Sequence, residues 1–243
     1  MPLLMLSVLV VACHKIEPEP EKDPDQEQKE QTQPDPDPEP EPEIEPEWVD
    51  LGLPSGLKWA TFNIGASSPE ESGDYFAWGD TAPKSSYTWE NCPFVVSGND
   101  WDNVKFSKYN TLPEYGQVGE TFTLDKSDDA ACVLWGNGCR MPTAADFDEL
   151  VKNTTSQWIE IGSTGGRQFT AKNGEANIFL PAAGFYDGSQ LQNNGASGYY
   201  WTSSLYQPLP FCASGLFFNS TAKGVYSGYD YRAFGRPVRP VKD

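Results

Sequence analysis

The 243-residue chain contains one histidine, His14, and it lies far from the stretch whose composition suits a folded domain. That domain can build no serine–histidine triad, no histidine-ligated zinc site and no imidazole base. Basic residues are also scarce: 17 Lys and Arg against 35 Asp and Glu leave a formal charge of −18. The chain offers no basic footprint, which argues against nucleic acid as a partner. It carries neither a phosphate-binding Walker loop nor a dinucleotide-binding glycine fingerprint. No apolar run reaches the roughly 20 residues that a membrane-spanning helix requires.

The one sustained apolar stretch, Met1 to Ala12, is uncharged and ends at Cys13. Its length suits the apolar core of a signal peptide. Val10-Val11-Ala12-Cys13 resembles a bacterial lipobox, which implies that residues 1–12 are a lipoprotein signal peptide and that Cys13 is the lipidated N-terminus of the mature chain. A plain secretory signal with a cysteine at its cleavage site is the alternative. Several acyl chains, at about 0.8 kcal/mol per buried methylene, would hold the protein on a membrane almost permanently. Residues 15–47 then carry fourteen acids and three bases, 11 of the 18 negative charges. Alternation such as Pro34-Asp35-Pro36-Asp37 removes N–H donors, fixes φ and repels like charges, so residues 13–47 read as a disordered Pro/Glu/Asp linker reaching at most about 100 Å.

From Trp48 to Asp243 the composition shifts to tryptophan, tyrosine, phenylalanine and glycine, and these 196 residues fit one domain. Short apolar or aromatic runs bounded by Gly, Pro and Asn predict strands at 57–62, 74–78, 157–161, 168–171, 178–180, 199–203 and 215–218. Thr143 with Asp146 forms a capping box ahead of Phe147, Leu150 and Val151, which predicts a helix over 144–152. A second helix is expected after Ser127-Asp128-Asp129, with Ala131, Leu134 and Trp135 as its apolar side and Gly136 as its stop. Few helices among many short strands and long loops indicate an α+β domain.

Seven segments in order carry a resemblance: Trp48 to Ala60, Gly73 to Gly79, Asp128 to Ala131, Arg140 to Thr143, Phe179 to Gly184, Gly198 to Ser204 and Val238 to Val241. Together they resemble the major paralogous domain family named for Fibrobacter succinogenes, across essentially all of residues 48–241. The resemblance implies a C-type lectin-like fold with short strands, two short helices and long loops. It also implies a place on lipoproteins and surface proteins of the Bacteroidetes, hence lipid anchoring in the outer membrane at the cell surface. Residues 48–60 and 237–241 should pair and bring the ends of the domain together. In related retroelement-diversified variable proteins the ligand surface lies between a Trp-x-Ser strand and the C-terminal strand, which here means the positions after Trp201 and before Val238.

Trp59, Trp78, Trp135 and Trp201 are expected in the core, since aromatic rings bury the most apolar area. Asp128 and Asp129 are expected as helix-capping carboxylates. Among the acids, Asp74, Asp80, Asp125 and Asp187 stay open as a carboxylate pair of the kind used in glycoside hydrolysis. Cys92, Cys132, Cys139 and Cys212 match no catalytic cysteine arrangement and allow three complete disulfide connectivities. The acidic loop Gly98 to Asn103 has oxygen ligands for calcium, yet the sugar-binding calcium sequences of lectins are not reproduced, so no metal or other cofactor is expected.

Residues 198–236 hold tyrosines among Gly, Ser and Asn, a composition like that of a binding-loop surface. Tyr206, Phe211, Asn219, Tyr226, Tyr229, Asp230 and Tyr231 are the candidate ligand-binding residues, with Tyr206, Tyr226, Tyr229 and Tyr231 as a solvent-facing patch. The expected function is a surface-tethered, non-enzymatic lectin-like module that binds a protein or glycan. The alternatives are a structural or pilus-associated subunit and a carboxylate-dependent glycan-acting enzyme.

Overall fold

Thr143 and Asp146 make the reciprocal cap that their spacing requires: Thr143 Oγ1 accepts from the Asp146 N–H at 3.2 Å, and the Asp146 carboxylate accepts from the Thr143 N–H at 2.7 Å. The computed structural model describes residues 46–220 and 226–243, with backbone alone at 226 and 227. All of them belong to a unit spanning residues 43–243. In chain order it comprises β1 (Trp48–Asp50), β2 (Lys58–Ala60), β3 (Val95–Ser97), β4 (Lys105–Phe106), α1 (Ala130–Leu134), β5 (Cys139–Arg140), α2 (Ala144–Asn153), β6 (Thr154–Ile161), β7 (Thr164–Ala171) and β8 (Asn177–Pro181). There follow β9 (Phe185–Asp187), β10 (Gln190–Gln192), β11 (Ser197–Leu205), β12 (Cys212–Asn219), β13 (Tyr226–Tyr231) and β14 (Val241–Lys242). Small antiparallel sheets with few helices make this an α+β arrangement.

Three sheets organise it. The first has the order β1-β2-β14-β5, with Val241 opposite both Trp59 and Arg140, so the first and last strands of the domain lie in one sheet. The second is β6-β7-β8 and the third β11-β12-β13; β9 pairs with β10 and β3 with β4. Helix α2 buries Phe147 and Leu150 against Trp59, Phe169, Leu180, Tyr200 and Leu216, which joins all three sheets in one apolar cluster. Each such side chain contributes about 1.5–3 kcal/mol on burial. A second cluster gathers Phe76, Trp78, Tyr109, Met141, Trp201 and Val238, and a third gathers Val104, Phe106, Phe211 and Cys212.

Several expectations need correction. Residues 74–78 form no ladder: Phe76 exchanges backbone hydrogen bonds with Arg236 and Trp78 donates to the Arg232 carbonyl, but the partner chain turns between those two points. Gly73, at φ +69, also turns the backbone just before; a Cβ there would meet the Ile64 carbonyl at 2.3 Å. Helix α1 is only five residues long and buries Ala130 and Ala131, leaving Leu134 44% exposed. Trp59, Trp78 and Trp201 are fully buried, but Trp135, at the end of α1, is half-buried and leans edge-on against Trp48 and Phe62. Asp129 is the cap expected of it, accepting from Cys132 N at 3.0 Å and from Met141 N at 2.9 Å. Asp128 instead accepts from Tyr109 Oη at 2.6 Å and pairs with Lys108 at 2.5 Å.

Three arginines of the last strand region are buried: Arg232, Arg236 and Arg239. Arg239 donates to Asn63 Oδ1 and to the carbonyls of Ala60, Thr61 and Phe179, fastening the final segment to β2 and β8. Arg232 stacks 4.2 Å from Phe106 and 4.6 Å from Trp78, and its guanidinium donates to the Tyr109 and Pro210 carbonyls. Arg236 lies 4.3 Å over Trp201 and pairs with Asp230. Burying a cation is costly unless its hydrogen bonds and ring contacts replace hydration. That cost holds the Arg232 and Arg239 guanidiniums down to about 10.

Candidate recognition face

The third apolar cluster reaches the surface as a group of aromatic rings. Phe211, at 5% exposure, is its centre, with Tyr115 at 5.1 Å, Trp101 at 5.6 Å and Tyr231 at 6.0 Å between ring centroids. Tyr231 continues to Trp89 at 5.7 Å and Phe234 at 5.5 Å. Beside this group Tyr206 and Tyr229 lie parallel, 3.8 Å apart and 9° from coplanar. Tyr229 is 50% exposed and Trp101 42%. Both stand on built supports. Tyr229 projects from β13 opposite Ser214 of β12. Tyr206 follows β11 in a turn closed by Leu209 N–H to the Tyr206 carbonyl and Cys212 N–H to the Leu209 carbonyl. Thr111 Oγ1 donates to the Gln207 carbonyl at 2.6 Å, tying that turn to the loop before Tyr115.

The candidate residues therefore divide. Tyr206, Tyr229 and Tyr231 share this face. Phe211 supports them from inside, because rings from three separate segments close over it. Asp230 is engaged by the buried Arg236, so its carboxylate has a structural duty. Asn219 ends β12, and its carbonyl accepts from Arg167. The Tyr226 side chain and Cys13 lie outside the described residues. Trp101, Tyr115 and Trp89 belong to the face although none of them is among the candidate ligand-binding residues; the loop from Thr81 to Asn103 is from sequence only the second place to seek a binding face, because nothing local says that the stretch 81–115 folds against residues 206–231.

Acids surround the rings. Burial pushes the Tyr115 hydroxyl up, with Glu114, Asp102 and Cys212 adding to it, and burial with Cys212, Asp230 and Asp100 does the same to Tyr231. Asn103 and Asp100 use side-chain oxygens in folding the loop 98–103: Asn103 Oδ1 accepts from Asn99 N at 2.8 Å and Asp100 N at 3.1 Å, and Asp100 Oδ1 accepts from Trp101 N at 2.7 Å. Among the described residues no group of three or more His, Cys, Asp or Glu is placed to hold a metal.

The acids left open for catalysis are partly spoken for. Asp80 pairs with Lys84 at 2.7 Å and Asp125 with Lys108 at 2.6 Å. Asp187 is exposed on β9, and Asp74 lies elsewhere, in a cleft beside Gly65. Among the described residues Cys92, Cys132 and Cys212 are thiols. Burial pushes Cys92 and Cys212 up to about 12, and burial with nearby Asp129 pushes Cys132 up to about 11, far from the range of reactive thiolates. No helix among the described residues is long and apolar enough to cross a membrane. No family model, curated protein or solved structure matches the chain.

Proposed function

We propose that this chain is a lipid-anchored, non-enzymatic binding module of C-type lectin-like type that holds a protein or glycan ligand against the face of Tyr206, Tyr229 and Trp101. The observation that carries the reading is the parallel Tyr206–Tyr229 pair at 3.8 Å with Tyr229 half in solvent. A stacked ring left open to water is an amphipathic contact of low rotamer entropy, the kind enriched at recognition surfaces. The acids near the adjoining rings, Glu114 and Asp102 by Tyr115 and Asp100 by Tyr231, favour a partner that offers hydrogen-bond donors or positive charge. The ion pairing of Asp80 and Asp125 and the raised thiols support binding over catalysis. A long linker after Cys13 suits display of such a face away from a membrane.

The test is an alanine pair on the full chain. Tyr206→Ala and Tyr229→Ala should keep a melting temperature close to the parent's while binding, on a glycan array and in a cell-surface pull-down, weakens by about tenfold or more for each. Hydrolysis of the array glycans is assayed alongside. Unchanged binding in both variants, or turnover of a bound glycan, would remove the reading.

A further inference from the structure

A cleft on a different part of the domain opens where the first sheet meets α1. It encloses about 840 Å³, within the range of small-molecule sites. Its walls come from segments distant in sequence. Trp48 is on β1, Trp135 follows α1, and Lys242 is on the final strand β14. The two indoles meet edge-on, 6.4 Å apart at 88°, and Phe62 backs Trp135 at 5.9 Å. Both tryptophans are half-buried, so each keeps ring surface for a ligand.

The polar groups in this cleft are unusual for having no work inside the fold. The Asp74 carboxylate accepts no hydrogen bond from any described residue, and burial pushes it up. It packs so closely over Gly65, which takes φ +77, that a Cβ there would sit 2.4 Å from it, so the backbone was left bare to admit the acid. The Lys242 ammonium lies 5.7 Å over the Trp48 ring and has no carboxylate within ion-pair distance among the described residues. The Asn137 side chain, carried on a left-handed residue at φ +50, is exposed and makes no hydrogen bond with a described residue. Glu71 differs: Ser67 donates to it from N at 2.7 Å and from Oγ at 2.9 Å, which holds it ionised below the usual range.

A cationic ligand would use the carboxylates and leave Lys242 idle, and an anionic ligand would do the reverse. A hydroxyl both donates and accepts, so a ligand rich in hydroxyls satisfies Asp74, Asn137 and Lys242 together, while the C–H face of a sugar ring covers indole. We propose that this cleft is a saccharide site, separate from the face of Tyr206 and Tyr229, that takes a short oligosaccharide against the exposed ring surfaces of Trp48 and Trp135 with its hydroxyls bonded to Asp74, Asn137 and Lys242.

The experiment titrates the full chain with cellotetraose, maltotetraose, mannotetraose and chitotetraose, followed by tryptophan fluorescence and calorimetry. At least one should bind at millimolar concentration or below. Asp74→Asn and Lys242→Ala should each weaken it about fivefold, the effect of one hydrogen bond, and Asn137→Ala should act in the same direction. Melting temperatures must stay at the parent's value, and Tyr229→Ala should bind the sugar as the parent does. Failure of all four sugars to bind overturns the proposal. Binding lost in Tyr229→Ala but kept in Asp74→Asn and Lys242→Ala overturns it too, and leaves the recognition-face reading standing.

Discussion

Replacing Arg239 by methionine tests whether the end of the chain is held by its guanidinium or by strand pairing alone. The side chain is completely buried, and it donates to Asn63 Oδ1 at 2.8 Å and to the carbonyls of Ala60, Thr61 and Phe179 at 3.0 Å each. Among the described residues no carboxylate neutralises it within ion-pair distance, and burial brings it down to about 10. Methionine retains much of the apolar stem and removes the cost of burying the cation, but it strands those acceptors. An orphaned buried acceptor costs about 1–3 kcal/mol. If relaxation rescues half of them, the net loss is about 2–6 kcal/mol, a large part of a total stability of about 5–15 kcal/mol.

For a domain of this size each kcal/mol shifts the melting temperature by about 2–4 °C, so Arg239→Met should melt about 5–20 °C early. Lysine keeps the charge, but a single ammonium cannot span the Ala60–Thr61 carbonyls and Phe179 as the planar fork does, so Arg239→Lys should recover less than half of the loss. Scanning calorimetry on the full chain, with urea unfolding to check that the slope is unchanged, makes the comparison. Replacing a buried charge by an apolar side chain is in some proteins neutral or stabilising. A melting temperature equal to or above the parent's in Arg239→Met would therefore refute the assignment of Arg239 as the clasp of the terminal segment.

Asp146 should lose its stabilising role in acid. Burial raises its pKa, but the bonds from Arg140 and Thr143 outweigh that and hold it below 3.8, so its contribution is full above 3.8 and fades as pH falls through the folded value. Asp146→Asn should cost about 1 kcal/mol at neutral pH, and in urea unfolding along a pH series the gap from the parent should close in acid; a constant gap would sink the idea. Labelling cells with an alkynyl fatty acid should mark the parent and not Cys13→Ser, and equal marking of both would remove the anchor. Thermal unfolding should be indifferent to a chelator; a fall restored by calcium would direct attention to Asp100 and Asp102.

What could be read in advance was local. Thr143 and Asp146 name a cap three residues apart, and the helix starts there because both partners lie within one turn. The runs at 157–161, 168–171 and 178–180 became β6, β7 and β8, since alternation and bounding glycines are also short-range signals. The paired acids Asp128 and Asp129 mark the limit. One caps α1 and its neighbour turns to Lys108 and Tyr109, a choice made by a loop some 20 residues upstream. The arginines of the last strand region were illegible for a different reason. A cation reads as a surface residue, and only the assembled aromatic rings, the carbonyls around Arg232 and Arg239 and the Asp230 carboxylate at Arg236 make burial tolerable. Trp135 packs against the second apolar cluster but is only half-buried; composition ranks a tryptophan by its size and does not show that its other side faces a cleft.

The same arginines bear on how the recognition face could work. Tyr206, Tyr229 and Trp101 are carried by separate segments, and a face assembled from separate loops would ordinarily lose affinity to the entropy of ordering them. Arg232 follows directly after Tyr231, yet its guanidinium donates to the Pro210 carbonyl in the turn after Tyr206 and to the Tyr109 carbonyl at the start of the loop that leads to Tyr115. One buried side chain therefore joins three of the segments that build the face, and Phe106 and Trp78 cover its plane. Ordering that would otherwise accompany binding is completed in folding. The ring edges and hydroxyls of the face are then carried on segments already tied together, and the tie is a buried cation, Arg232, whose place no local sequence signal marks.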